Sequence, residues 1–108
     1  MLLAERSYAA TKAFPKDELY GMTAQIRRCS TSIAANIAEG YGRDSDGSFI
    51  QFLRISHGSL KELETHIILS ERVGIMPPAT AAEFLESTDE VGKMLRGLIT
   101  AVSEKASQ

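Results

Sequence analysis

Apolar residues recur along this chain with the period of a helix. Met22, Ile26, Cys29, Ile33 and Ile37 are separated by steps of four, three, four and four. At about 3.6 residues per turn such steps keep a stripe on one face. Phe49, Leu53, Ser56, Leu60, Leu63 and Ile67 carry the same spacing, and Phe84, Val91, Leu95, Leu98 and Val102 form a third inward-facing set. A shorter, Ala-rich stretch over roughly 2–13 sets Leu3, Ala10 and Ala13 roughly in line. Each stretch favours a helix over a strand.

Glycine and proline divide these stretches in three places: Phe14-Pro15-Lys16-Asp17, Gly40-Tyr41-Gly42-Arg43-Asp44 and Gly74-Ile75-Met76-Pro77-Pro78. Four helices are therefore predicted, over about 2–13, from within 17–23 to 39, 46–73 and 79–105. Asp17 or Thr23 is the expected N-cap of the second, and Ser45 that of the third. Gly40 is expected to close the second helix in a left-handed C-cap. Pro77-Pro78 gives a stiff lead into the fourth, with Ala79 or Thr80 near its start.

Short links between successive helices imply antiparallel neighbours. The predicted architecture is an all-α, antiparallel up-and-down four-helix bundle, one domain over 1–108. Helices two to four span about 25–40 Å, but the first only about 18 Å. A first helix of that length leaves an apolar groove, which either a longer first helix or a neighbouring subunit would cover.

Composition narrows the function classes. At 108 residues, with 44% hydrophobic and 24% charged residues, there is room for one core. Aromatic residues are scarce and Trp is absent, so a mainly aliphatic core of Ile, Leu, Met and Val is expected. Net charge is −2 and offers no global attraction to nucleic acid or an anionic membrane. The sign is uneven: residues 1–43 hold six Lys/Arg against four Asp/Glu, and 44–108 hold six against ten. One cysteine, no signal-peptide pattern and no apolar run of about 20 residues point to a cytoplasmic protein without membrane contact.

No motif indicates catalysis, a cofactor or a metal. Leu63 stands three residues before His66 and Arg54 three before His57, so the Glu-x-x-His pairs of di-iron bundles are missing. The two histidines are nine residues apart, half a revolution out of phase on one helix, and cannot share an ion. Cys29 lies on an apolar stripe, where packing is the expected role. Asp44-Ser45-Asp46-Gly47 fails as a calcium loop because glycine comes early and Ile55 occupies the twelfth position. Gly40-x-Gly42 lacks the strand and the Gly-Lys-Ser/Thr of a phosphate loop. Asn36 and Glu39, with Arg54, Ser59, Glu62 and Glu64, form the candidate polar network. Arg27, Arg28, Arg43 and Arg54 are its expected interhelical partners.

Two stretches together resemble a known family. One is Tyr20-Gly21-Met22-Thr23-Ala24-Gln25-Ile26-Arg27-Arg28-Cys29, continuing through Ser32-Ile33-Ala34-Ala35-Asn36-Ile37-Ala38-Glu39-Gly40-Tyr41-Gly42-Arg43. The other is Phe49-Ile50-Gln51-Phe52-Leu53-Arg54-Ile55-Ser56-His57-Gly58-Ser59, leading to Glu62-Leu63-Glu64-Thr65. They are similar to the four helix bundle proteins also called S23 or 23S rRNA intervening-sequence proteins. The resemblance implies an up-and-down bundle, assembly as a homopentamer and no assigned enzymatic activity. A related protein, the accessory variability protein of diversity-generating retroelements, is a basic pentamer that binds nucleic acid. This chain differs in its shortened first helix, in Ala34 where many relatives have proline, and in its acidity.

The leading expectation is thus a non-enzymatic homo-oligomeric scaffold, in which Arg27, Arg28 and Arg43 repeat around a ring and contact nucleic acid. The alternative is a module that accepts a partner protein's helix in the apolar groove.

Overall fold

Helix boundaries follow local backbone chemistry. In a computed structural model, described for residues 2–18 and 21–107, the helices are α1 (Leu2–Thr11), α2 (Met22–Tyr41), α3 (Asp46–Arg72) and α4 (Pro78–Ala106). Tyr20, which opens the first stretch of the family resemblance, lies outside the described residues, as do Leu19 and the terminal positions 1 and 108. A short 3-10 turn, Lys16–Glu18, links α1 to α2.

Two expected caps are corrected. Neither Asp17 nor Thr23 caps α2: Asp17 lies in the 3-10 turn and Thr23 is buried inside the helix. Gly21 is the N-cap, and the Met22 N–H donates to Glu18 Oε1 at 3.3 Å. Gly40 does not end α2 in a left-handed turn. It is helical and buried, and Gly42 is the C-cap with an ordinary φ of −83°. A Cβ on residue 40 would lie 2.9 Å from Phe49 Cδ1 and 3.1 Å from Phe52 Cβ. Glycine serves there to bring α2 close to α3, not to turn the chain.

The other ends match their sequence. Ser45 is extended and its side chain accepts from the Ser48 N–H at 3.1 Å, capping α3. At the far end Gly74 has φ +82°. The Gly74 N–H donates to Glu71 O at 3.1 Å and the Ile75 N–H to Ser70 O at 2.9 Å. That pair of bonds is a Schellman motif and satisfies carbonyls that α3 would otherwise leave open. Pro78 occupies the first turn of α4, where its missing N–H removes nothing.

The predicted stripes meet in the core. Ile26, Cys29 and Ile33 of α2, Leu53, Leu60, Leu63 and Ile67 of α3, and Phe84 and Leu95 of α4 are buried; Phe14 and Met76 close the ends from the links. In α1 the expected line holds at Leu3 and in part at Ala10, but not at Ala13. Leu3, Ser7 and Thr11 face inward, while Ala10 is only partly buried and Ala13 is exposed beyond the helix. Ser7 donates to Leu3 O at 3.1 Å and Thr11 to Ser7 O at 2.8 Å. Ser7 also bonds Ser30 of α2. Small hydroxyls that satisfy themselves on the preceding turn can be buried without an orphaned group.

Helix α1 packs on α2 and α4, and α3 packs on α2 and α4 from the opposite corner. The molecule measures 50 × 22 × 18 Å. Ten residues of α1 cover about 15 Å, against about 43 Å for α4, so α1 lines only part of the trough between α2 and α4.

Candidate functional site

Polar side chains gather along the α2–α3 seam. Arg28 Nη2 donates to Glu62 Oε1 at 2.7 Å and to Gln25 Oε1 at 2.8 Å, and stands 3.7 Å from Cys29 Sγ. One turn further along α3, His66 Nε2 is 3.8 Å from Glu62 Oε1. Toward the other end, Ser32 and Ser59 share a hydrogen bond at 3.0 Å, and Asn36 Nδ2 donates to Ser32 O at 2.8 Å.

The candidate network thus divides. Arg28, Glu62, Ser59 and Asn36 lie on the seam. Glu39 pairs with Arg43 on its own helix at 2.7 Å. Glu64 turns to the other side of α3, accepting from Thr88 Oγ1 of α4 at 2.8 Å and from Lys61 at 3.1 Å. Arg54 is exposed and joins no ion pair among the described residues. The helical period explains the split: Glu62 and Glu64 are two residues, about 200°, apart and cannot face one neighbour.

Charge on the seam is held asymmetrically. The Cys29 thiol, followed by the Arg28 guanidinium, holds the Glu62 carboxyl below its usual range. Burial, followed by the hydrogen bond to Glu62, pushes the Cys29 thiol up to about 11. At neutral pH the cysteine is therefore a protonated, packed side chain rather than a nucleophile. Arg28 and Glu62 both remain well exposed, so their pairing contributes about 0–1 kcal/mol.

The three candidate arginines differ in what they retain. Arg28 and Arg43 face carboxylates, and Arg43 also lies over the Phe52 ring at 4.7 Å. Arg27 instead donates to Thr11 Oγ1 at 2.9 Å and lies 4.4 Å over the Tyr8 ring. Tyr8, Ala9, Lys12 and Arg27 line a shallow hollow on the α1–α2 face, and no carboxylate pairs with Arg27 or Lys12 among the described residues.

The other notable surface is apolar. Leu2, Leu3 and Ala4 of α1, Ile33, Ala34 and Ile37 of α2, and Val91 and Met94 of α4 line a groove at the N-terminal end of α1. Leu2 and Met94 are more than half exposed. On α3, across the bundle from α1, Ile68, Leu69 and nearby Val73 are also exposed.

The sequence profile of the 23S rRNA-intervening sequence proteins matches residues 1–97. The chain belongs to that family. A protein of unknown function from the S23 ribosomal protein family of Bacteroides thetaiotaomicron has a similar crystal structure, with a TM-score of 0.72 and 28% identity. That similarity covers 91% of this chain and 85% of the other. No match is found among curated proteins. The described residues include no helix long and apolar enough to cross a membrane.

In this intervening-sequence family member, sequence reasoning passed over one grouping. Cys29 Sγ, a Glu62 carboxylate oxygen and a His66 ring nitrogen all lie within 4.8 Å of one another. Neither the nine-residue spacing of His57 and His66 nor the residues three positions before each points to it. The available signal was Glu62-x-x-x-His66, one turn on one face of α3, opposite a cysteine on the α2 stripe.

Proposed function

We propose that this chain is a non-enzymatic self-assembly subunit, with copies of itself covering the groove beside α1. The observation that carries the reading is that groove: apolar side chains from three helices, lying open where α1 leaves the trough between α2 and α4 unfilled. Exposed apolar patches of this kind mark interaction surfaces. The second apolar patch, at Ile68 and Leu69 of α3 and Val73 just past its end, differs from the groove and lies across the bundle. Two unlike patches favour a head-to-tail contact, which closes into a ring when the rotation per subunit allows. A pentamer, as the family resemblance implies, is such a ring.

Sedimentation velocity with light scattering tests this. A ring of several copies is expected at micromolar concentration, and Ile37→Glu and Met94→Glu each shift it toward monomer. A wild-type monomer, or variants that assemble unchanged, overturns the reading. A monomer that binds a single amphipathic helix would favour the groove-binding alternative.

Contact with nucleic acid is a second reading, favoured at one place. Arg27 and Lys12 keep cationic groups that pair with no carboxylate among the described residues, beside the half-exposed Tyr8 ring, and cations beside an aromatic suit phosphate and base together. Arg28 and Arg43, tied to Glu62 and Glu39, are secondary. Titration with single-stranded RNA at two salt concentrations is expected to give salt-dependent binding that Arg27→Ala weakens more than Arg43→Ala does. Absence of binding at low salt, or equal effects of the two substitutions, removes this reading.

A further inference from the structure

We propose that Cys29, Glu62 and His66 form a binding site for a borderline divalent transition-metal ion of the zinc type, clamping α2 to α3. The three side chains offer a sulfur, an oxygen and a nitrogen within 4.8 Å of one another. Mixed ligation by thiolate, imidazole and carboxylate is the donor chemistry of zinc and its neighbours, and excludes magnesium and calcium, which prefer oxygen alone.

Placement supports the grouping. Glu62 and His66 are one turn apart on α3, and Cys29 faces them from α2, so two rigid elements converge on one point. His66 Nε2 is buried and has no hydrogen-bond partner among the described residues, the Glu62 oxygen at 3.8 Å being beyond bonding reach. A buried ring nitrogen without a partner is costly unless something occupies its lone pair. Cys29 is completely buried, whereas Glu62 keeps 44% of its side chain exposed, which leaves an approach from solvent on the carboxylate side.

Bond lengths of about 2.0–2.3 Å set neighbouring ligand atoms about 3.5 Å apart in a tetrahedron. Closing from separations of up to 4.8 Å requires side-chain shifts of about an ångström. The carboxylate has two oxygens. One can meet the ion while the other keeps Arg28, which then becomes the outer hydrogen-bonding partner that ligating carboxylates commonly have. Binding replaces the thiol S–H by a sulfur–metal bond and releases that proton to solvent. Thiolate and carboxylate then balance the dication. Three protein ligands leave a fourth position for water.

Cobalt(II) is the probe. Titration of the metal-free full chain is expected to produce a thiolate-to-cobalt charge-transfer band in the near ultraviolet, saturating at one ion per subunit and bleached by one equivalent of zinc. Cys29→Ala abolishes the band, while His66→Ala and Glu62→Gln each weaken affinity by more than about tenfold. His57→Ala, on the other histidine of α3, leaves it unchanged. Circular dichroism of each variant establishes that it is folded. His66 is only partly buried, so its substitution provides the decisive case if Cys29→Ala unfolds. No band at millimolar cobalt, or affinity unchanged by His66→Ala, overturns the proposal. So does a band that His57→Ala weakens as much as His66→Ala does.

Discussion

Glycine inside a helix is normally about 1 kcal/mol less favourable than alanine, and this chain contains both a position where the rule holds and one where it reverses. Gly58 of α3 and Gly97 of α4 are exposed, with open space where a Cβ would go. Alanine at either is expected to stabilise by about 0.5–1 kcal/mol. At Gly40 the new methyl would meet Phe49 and Phe52 at 2.9 and 3.1 Å. Overpacking of that kind costs about 1–3 kcal/mol, so Gly40→Ala should lower the urea midpoint while Gly58→Ala raises it. Cys29 provides a second test at this scale. Being buried, with its thiol raised to about 11, it should resist iodoacetamide at pH 8 and react quickly in denaturing urea. The sign for alkaline stability follows from the same shift. A thiol raised in the folded state keeps its proton longer than in the unfolded chain, so its contribution is intact below pH 9 and is lost as pH rises toward 11. Cys29→Ala should flatten the stability profile across that window.

At the scale of elements, α3 has the best-defined ends, and each can be removed separately. Ser45→Ala deletes the acceptor for the Ser48 N–H and is expected to cost about 1 kcal/mol. Gly74→Ala places a Cβ on a residue with φ +82° and should cost about 1–2 kcal/mol. Because the two sites lie at opposite ends of one helix, the double variant should lose close to the sum of the separate losses. Thermal or urea denaturation of the three variants measures this. By contrast the N-cap of α2, Gly21, has no side chain, and the Met22 N–H has only a long bond to Glu18 Oε1 at 3.3 Å, so the seam with α3, rather than its own start, carries more of its stability.

For the whole molecule the decisive property is whether copies assemble over the groove beside α1. If they do, the melting temperature rises with protein concentration, because association stabilises the folded subunit by mass action. Met94→Glu, on the half-exposed groove wall, should abolish that dependence while leaving the melting temperature of the dilute protein nearly unchanged. Scanning calorimetry at two concentrations separated by about a hundredfold checks both.

The helices were readable in the sequence because helical period is a local property. The stripes of α2, α3 and α4, the Ser45 cap and the proline start of α4 all appear within a few residues of one another, and so does the brevity of α1. The inward face of α1 was not readable in the same way. Ser7 and Thr11 look polar until their hydroxyls find carbonyls on their own helix and Ser30 across the contact. Nor was the role of Gly40, since a glycine before a turn suggests a cap until Phe49 and Phe52 close over it. The polar network shows the same division: the residues could be named, but the register of α3 against α2 and α4 decided that Glu62 would meet Arg28 and Glu64 would meet Thr88. Register also brought Cys29 to Glu62 and His66, thirty-three and thirty-seven residues away in sequence. By itself the sequence determined four amphipathic helices and their order, since neighbours along the chain suffice for that. Only the tertiary structure decided which side chains face each other, because that depends on how closely and at what offset separate helices pack.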